Sequence, residues 1–399
     1  MTGSAVSDQA TALPLVWDVA DLEPRVAELL DAKQRRVSRG RYDAKSADDV
    51  TALLEGLLQA RGERDFSLHE VHRMAGGASK EQFAFKLRRG DDVERMVLRL
   101  DPPESIVETC RYREAEVFAA MARHGVPTPS TRFLDGDGTH LGAPGIVTSF
   151  VSGVTSPPVD STLISGVGTS FTAEWRKLLA PQFIDTLTLI HGADWQSASL
   201  PHFTAPTAHP HQAALWQVNW WSRIWRDDQV DPYPLITLAE RWMRERLPET
   251  PANSADLVLL HGDFRTGNFM FDPDTGRFSA VLDWELAHIG DFHEDLGWIL
   301  QRLFAGPAED GRVLACNLIE REELIQRYEE ATGRTVNPRT LAFYEVLAAF
   351  KCAVMNLGTG YSAAARGHNH QDVLLSFLSP VGHVFLGEIA TIIEREAAL

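Results

Sequence analysis

The stretch LVLLHGDFRTGNFMFDPDTGRFSAVLDWE carries three oxygen-bearing side chains, Asp263, Asn268 and Asp283, around an apolar run, a polar loop and a hairpin. If FMF and FSAVL pair antiparallel across the DPDTG turn, partner positions have a nearly constant index sum. Phe271 then faces about Ala280, and Asn268 about Asp283. A carboxamide and a carboxylate therefore meet at one mouth of the hairpin, with Asp263 a few residues upstream on the loop. Oxygen donors of this kind suit Mg2+, a hard cation held by one or two carboxylates together with waters and substrate phosphates. The plainer reading is that Asp263 and Asn268 cap turns and Asp283 caps the next helix. The three together around one hairpin favour the metal.

The interval from Asp263 to Asn268 is the one found in kinase catalytic loops, where the Asp accepts the proton of the substrate hydroxyl and the Asn holds Mg2+. Asp263 and Asn268 are the expected catalytic pair, and Asn268 and Asp283 the expected metal ligands. Phosphoryl transfer has a loose transition state and asks the protein mainly for positioning and charge neutralisation. Phosphates also need a cation held in place. In REAEVFAAMARHG, Glu114, Val117, Phe118 and Met121 share a helix face by their spacing. That puts a carboxylate on a buried stripe, where it needs a partner. Arg99 in RMVLRL lies opposite Leu98 and Leu100, so an Arg99–Glu114 pair is expected to aim a guanidinium at ATP phosphates, with a purely structural pair as the alternative. MAGGASKEQFAFKL precedes a strand and could offer backbone N–H groups through Gly76, Gly77 and Ser79. Lys80 is a second phosphate contact or, more simply, a solvated side chain.

These residues need two kinds of support. Residues 1–62 read as a helical extension, with helical spacing in DLEPRVAELLDA and ADDVTALLEGLLQA. Residues 63–153 read as a small, nucleotide-binding lobe of short strands, FAFKL, RMVLRL and GIVTSF, broken by turn signals and by one helix between about Glu104 and Arg123. Residues 154–399 read as a mainly helical lobe, with helical patterns at 172–191, 212–226, 234–247, 339–357 and 380–397 around the hairpin. The expected fold is α+β and two-lobed, a small antiparallel sheet with one helix beside a larger helical lobe.

Composition narrows the partners. The chain has 399 residues, 38 Lys and Arg against 55 Asp and Glu, and a formal net charge of -17. Nucleic acid and anionic membrane surfaces call for clustered basic residues, so neither is expected as a partner. Three scattered cysteines make no disulfide framework or CxxC site. The N-terminus lacks a basic n-region, and no apolar stretch is expected to reach the ~20 residues of a membrane span. The expectation is a soluble, cytoplasmic protein, monomer or homodimer.

With these residues in place, the chain resembles the aminoglycoside phosphotransferase-like kinases, a family with the protein-kinase-like fold, over about residues 66 to 360. The resemblance rests on HGDFRTGN with VLDWE, REAEVFAAMARHGVPTP, and GAPGIVTSFVSG as the lobe connection. LPHF, the Trp-rich helix and GDFHEDLGW look most like the branch that includes kinase domains fused to acyl-CoA dehydrogenases. It implies Mg-ATP-dependent transfer of the γ-phosphoryl group to a small-molecule hydroxyl, with Asp263 as base, Asn268 and Asp283 on metal, and adenine paired with backbone near Ser149 and Val151. Two departures stand out: Arg99 where many members use Lys, and Phe292 where Pro commonly follows GD.

Other features decide less. Trp216, Trp220, Trp221 and Trp225 point in too many directions to be buried together in one, so one or two are expected to line a substrate cleft. His202, His209, His211, His368 and His370 raise a zinc hydrolase, but no Cys accompanies them and their spacing fits no tight ligand pattern. His261 reads as a structural loop residue, Asp291 as a helix cap and Asp295 as a support for the loop. The acceptor is either an aminoglycoside or a hydroxyacyl or CoA-linked alcohol. The reading from a different class is a non-catalytic nucleotide- or acyl-CoA-binding module.

Overall fold

A computed structural model describes residues 18–37, 41–74, 79–157, 170–249 and 256–398. Two helices precede the first strand. α1 (Pro24–Val37) buries Val26 and Leu30 in the core of the large lobe. α2 (Ala47–Ala60) starts at Ser46, whose hydroxyl accepts from the Asp49 N–H while the Asp49 carboxylate accepts from the Ser46 N–H, a reciprocal cap that satisfies two helix-end donors. Its Val50, Leu54, Leu57 and Leu58 cover one face of the small-lobe sheet.

That sheet is antiparallel throughout. It holds β1 (Phe66–Arg73), β2 (Glu81–Arg89), β3 (Asp92–Leu100), β4 (Thr131–Asp135) and β5 (Gly145–Ser149) in the order β1-β2-β3-β5-β4. Phe83, Phe85, Leu87, Met96, Leu98 and Leu100 meet α2, and the period of two turns Val97 and Arg99 to the opposite face. On that side lies α3 (Arg111–Arg123), with Val117, Phe118 and Met121 in the larger core. α3 begins later than the sequence suggests, because the approach to it is held by side chains instead: the Glu108 carboxylate accepts from the Ser105 N–H at 3.2 Å.

The large lobe follows with α4 (Ala173–His191), α5 (Gln212–Asp228), α6 (Pro234–Arg244), β6 (Val258–Leu260), β7 (Phe269–Phe271), β8 (Phe278–Val281), β9 (His288–Gly290) and α7 (His293–Ile299). After these come β10 (Gly306–Pro307), β11 (Val313–Leu314), α8 (Arg321–Thr332), α9 (Pro338–Ala353), a π-helical stretch Val354–Gly360, α10 (Tyr361–Arg366), α11 (Asp372–Leu378) and α12 (Gly382–Ala397). β6 pairs with β9 and β7 with β8.

α9 is the central helix. Its Asn337 cap accepts from the N–H groups of Arg339 and Thr340, and its buried charges are paired, Lys351 with Glu294 and Glu345 with Arg321. Contrary to the sequence expectation, the runs Pro338–Arg366 and Asp372–Ala397 are long and apolar enough to cross a membrane, and 89% of the most apolar window of the first is buried inside the protein. All four tryptophans of α5 are buried, which corrects the expectation that some line a cleft. α5 has neighbours on several sides, α1, α6, α9, β9 and the π-helical stretch, and Trp216 donates its indole N–H to Asp21 in the residues just before α1.

Candidate active site

The loop from β6 to β7 is built on backbone hydrogen bonds to one buried carboxylate. Asp295 in α7 accepts from the N–H of His261 at 2.9 Å and of Gly262 at 2.8 Å, and contacts His191 Nε2 at 3.0 Å. Burial opposes its charge, but these partners outweigh burial and hold the carboxyl below its ordinary range. Gly262 has φ +80, and a Cβ there would lie 2.5 Å from the Leu286 carbonyl oxygen, so the turn needs glycine. His261 places Nε2 on the Leu282 carbonyl at 2.9 Å and Nδ1 on the Asp263 N–H at 3.1 Å. These neighbours require the neutral, Nε2-protonated ring, and burial holds its pKa below the ordinary value.

Three donors then orient Asp263. Its Oδ1 accepts from Trp298 Nε1 at 2.7 Å and from Arg265 Nε at 2.9 Å, and its Oδ2 accepts from Asn268 Nδ2 at 2.6 Å. Asn268 Nδ2 also donates to the Asp263 backbone oxygen at 2.9 Å. Both of those groups only accept, so the face of the carboxamide toward Asp263 is its nitrogen, and Oδ1 is left for another partner. The hairpin register differs from expectation. Met270 pairs with Ala280, Phe269 with Val281, and Phe271 with Phe278 beyond an irregularity, so Asn268 faces Leu282, whose N–H it accepts at 2.7 Å. Asp283 is one residue further. It adopts the left-handed conformation at φ 57, which Asp tolerates better than most residues, and leads into a tight 3-10 turn, Trp284–Leu286.

The small lobe meets this turn through Arg99. Its guanidinium bonds Glu114 and also the Asp283 carboxylate at 2.6 Å. Burial works against the charge, and the carboxylates of Glu114 and Asp283 more than offset it, so Arg99 stays protonated. Glu114 is shared with the buried Arg111, which reaches Asp101 at 2.6 Å. Ser79 Oγ donates to Glu285 at 3.2 Å. Lys80 is neither solvated nor turned to open solvent; its side chain is 1% exposed and pairs with Asp101. Gly77 and Gly76 lie outside the described residues.

Above the hairpin is a cavity of about 170 Å³. Ser149 and Val151 line it at the lobe connection, Val97 and Phe118 from the small lobe, Met270 and Leu282 from the hairpin, and Arg99 and Asp283 also border it. Apolar walls on both lobes with polar groups at one side suit a flat aromatic ring whose charged tail lies toward Arg99 and Asp283. Ser149 spends its hydroxyl internally, accepting from the Ser130 N–H at 2.9 Å.

The histidines of the zinc reading are dispersed. His202 stacks on Tyr112 and bonds Glu116, while His368 bonds Glu104. Among the described residues no three His, Cys, Asp or Glu side chains gather as a metal site. Asp291 lies one residue before Phe292, the N-cap of α7, and accepts from the His293 N–H at 3.0 Å. Sequence reasoning missed Trp298 and Arg265 on Asp263, and Arg111 and Asp101 behind Glu114. The signals for Arg265 and Arg111 are local, two residues after Asp263 and three before Glu114 on one helix; Trp298 and Asp101 lie too far along the chain from these groups to be paired by spacing.

Residues 70–344 match the phosphotransferase enzyme family. Acyl-CoA dehydrogenase family member 11 of Pongo abelii is 28% identical over 341 residues, covering 83% of this chain and 41% of the relative. Aminoglycoside 3'-phosphotransferase of Streptomyces fradiae is 24% identical over 300 residues, covering 72% of this chain and 97% of the relative. The chain spans 22% to 41% of the length of the curated acyl-CoA dehydrogenase relatives that it matches. A solved protein from Ralstonia eutropha JMP134, described as a candidate aminoglycoside phosphotransferase, superposes with TM-score 0.61 at 20% identity over 88% of this chain and 99% of its own. That likeness carries the two-lobed, kinase-like fold.

Proposed function

Because the chain belongs to the phosphotransferase enzyme family, we propose that it is a kinase that moves the γ-phosphoryl group of Mg-ATP to a hydroxyl of a small molecule. The observation that carries this is one continuous set of contacts: Asp263 to Asn268, Asn268 to Leu282 next to Asp283, and Asp283 to Arg99. The donor set fits a hard cation, since Asn268 has an uncommitted carboxamide oxygen and the Asp283 side chain is 40% exposed beside the cavity. Asn268 and Asp283 would hold Mg2+, which would supply positive charge against the phosphates. Asp263 takes the proton of the acceptor hydroxyl, held in place by Trp298, Arg265 and Asn268. Arg99 offers the phosphates a guanidinium already aimed by Glu114. Ser149 and Val151 present backbone to the nucleotide base.

For the acceptor we favour a hydroxyacyl or CoA-linked alcohol over an aminoglycoside. Arg265 stands on Asp263 with its guanidinium over the Phe304 ring, 4.9 Å from the centroid. A cation beside the base opposes a polyammonium sugar, whereas an aromatic wall suits an acyl chain. Three free, buried cysteines are compatible with a reducing, cytoplasmic setting.

The test is mass-spectrometric detection of phosphorylated product with Mg-ATP and a panel of hydroxyacyl-CoA thioesters, aminoglycosides and simple alcohols, with Asp263→Ala alongside. The expected result is phosphate on a hydroxyacyl thioester and a loss of about 10²- to 10⁴-fold in rate in the variant. Product on an aminoglycoside alone refutes the acceptor assignment and keeps the kinase. A wild-type protein that does not bind Mg-ATP refutes the kinase and favours a binding module.

A further inference from the structure

Lys80 follows a glycine-containing stretch and immediately precedes β2, a place where a lysine ordinarily reaches into water. Its ammonium is instead enclosed, 3.0 Å from Ser105 Oγ, 3.0 Å from the Val107 carbonyl oxygen, 3.3 Å from Asp101 and 3.8 Å from Glu285. Lysine is almost never buried unless paired, so this placement has a cause. Both carboxylates belong to the site. Asp101 shares Arg111 with Glu114, and Glu114 holds Arg99. Glu285 stands two residues after Asp283, the other partner of Arg99.

Positive and negative groups therefore alternate along a path that leaves the 283–285 turn at Asp283 and returns to it at Glu285. The path joins the small lobe to that turn twice, through Arg99 on Asp283 and through Lys80 on Glu285. The two links differ in exposure. Asp283 is 40% exposed, whereas Lys80 and Glu285 are 1% and 12% exposed. A phosphate that draws Arg99 away from Asp283 breaks the open link and leaves the enclosed one intact.

We propose that Lys80 is a positioning residue of the nucleotide site, holding the turn that carries Asp283 against the small lobe while Arg99 exchanges Asp283 for nucleotide phosphate. This rests on the kinase reading of the site. Lys80 does so without touching nucleotide, because its three N–H donors face Ser105, Val107 and Asp101, and the Glu285 carboxylate stands beside its charge. Its removal acts on the cation site at Asp283 more than on nucleotide alone.

The experiment is calorimetric binding of a non-hydrolysable ATP analogue to the full chain, with and without Mg2+, for wild type, Lys80→Met and Lys80→Arg. Lys80→Met is expected to weaken the Mg2+-dependent part of binding about 10- to 100-fold while metal-free binding changes less than about twofold, and Lys80→Arg to recover most of the loss. A folded Lys80→Met with wild-type dependence on Mg2+ overturns the inference. If Lys80→Met does not fold, because Glu285 loses its counter-charge, the double variant Lys80→Met with Glu285→Gln replaces it. Its loss is expected to equal that of Glu285→Gln alone, since both break one link, and a further loss beyond that single variant overturns the inference. A wild-type protein that binds no analogue with Mg2+ overturns the kinase reading and this inference with it.

Discussion

On the large-lobe side of the cleft, the loop is held by its own backbone N–H groups on Asp295, and Asp263 by an indole, a carboxamide and one guanidinium, whereas on the small-lobe side Arg99 stands among carboxylates that share their cations. A backbone donor has one direction and cannot follow a displaced acceptor. A guanidinium with several carboxylates in reach can trade one for another at small cost. The loop side suits a base that has to be in place before the acceptor arrives. The ion-paired side suits groups that change partners when a nucleotide enters.

Breaking the rigid side has the largest expected effect. Asp295→Ala strands the buried N–H groups of His261 and Gly262 and removes the partner of His191 Nε2, and is expected to lower the unfolding free energy by about 3 to 5 kcal/mol in urea titration. A loss under about 1 kcal/mol, the worth of one ordinary hydrogen bond, would contradict the rigid-loop account.

The adjustable side should be milder. Arg99→Lys keeps the charge but replaces a fork that reaches Glu114 and Asp283 together with a single ammonium. The expected result is an apparent KM for Mg-ATP raised about tenfold with the thermal midpoint almost unchanged, about what one charge-assisted hydrogen bond supplies. Equal losses of stability in Arg99→Lys and Asp295→Ala would erase the difference between the two sides.

The smallest effect is one of pH. His261 is neutral in the fold because burial lowers its pKa from the ordinary 6.5. Its contribution to stability is complete above about 6.5 and is lost as pH falls toward the folded value, since the unfolded chain then binds a proton that the native ring refuses. Urea midpoints compared at pH 7.5 and 5.5 are expected to fall more in wild type than in His261→Asn. An identical fall in both would show that His261 is not what loosens the loop in acid.

Much of this was legible from residues close together in the chain. HGDFRTGN lies within one loop, so the order of Asp263 and Asn268 and the hairpin after them follow from local spacing, as does the buried Glu114 from the period of α3. The register was displaced because the irregularity between Met270 and Phe271 has no mark in the sequence. Trp216, Trp220, Trp221 and Trp225 were misread because burial on several faces requires knowing that α1, far back in the chain, packs on α5.

The sequence by itself determined the strand and helix periods, the two-lobed order and the residues able to hold a proton or a cation, since those depend on near neighbours and on side-chain chemistry. Apart from the Arg99–Glu114 pair, which the strand and helix patterns anticipate, the tertiary structure decided which side chains meet. Lys80 lies 205 residues before Glu285, and Asp263 lies 35 before Trp298, so neither pairing leaves a periodic trace. Whether a lysine is solvated or enclosed depends on what the fold packs around it, and desolvation is a property of that packing rather than of the residue.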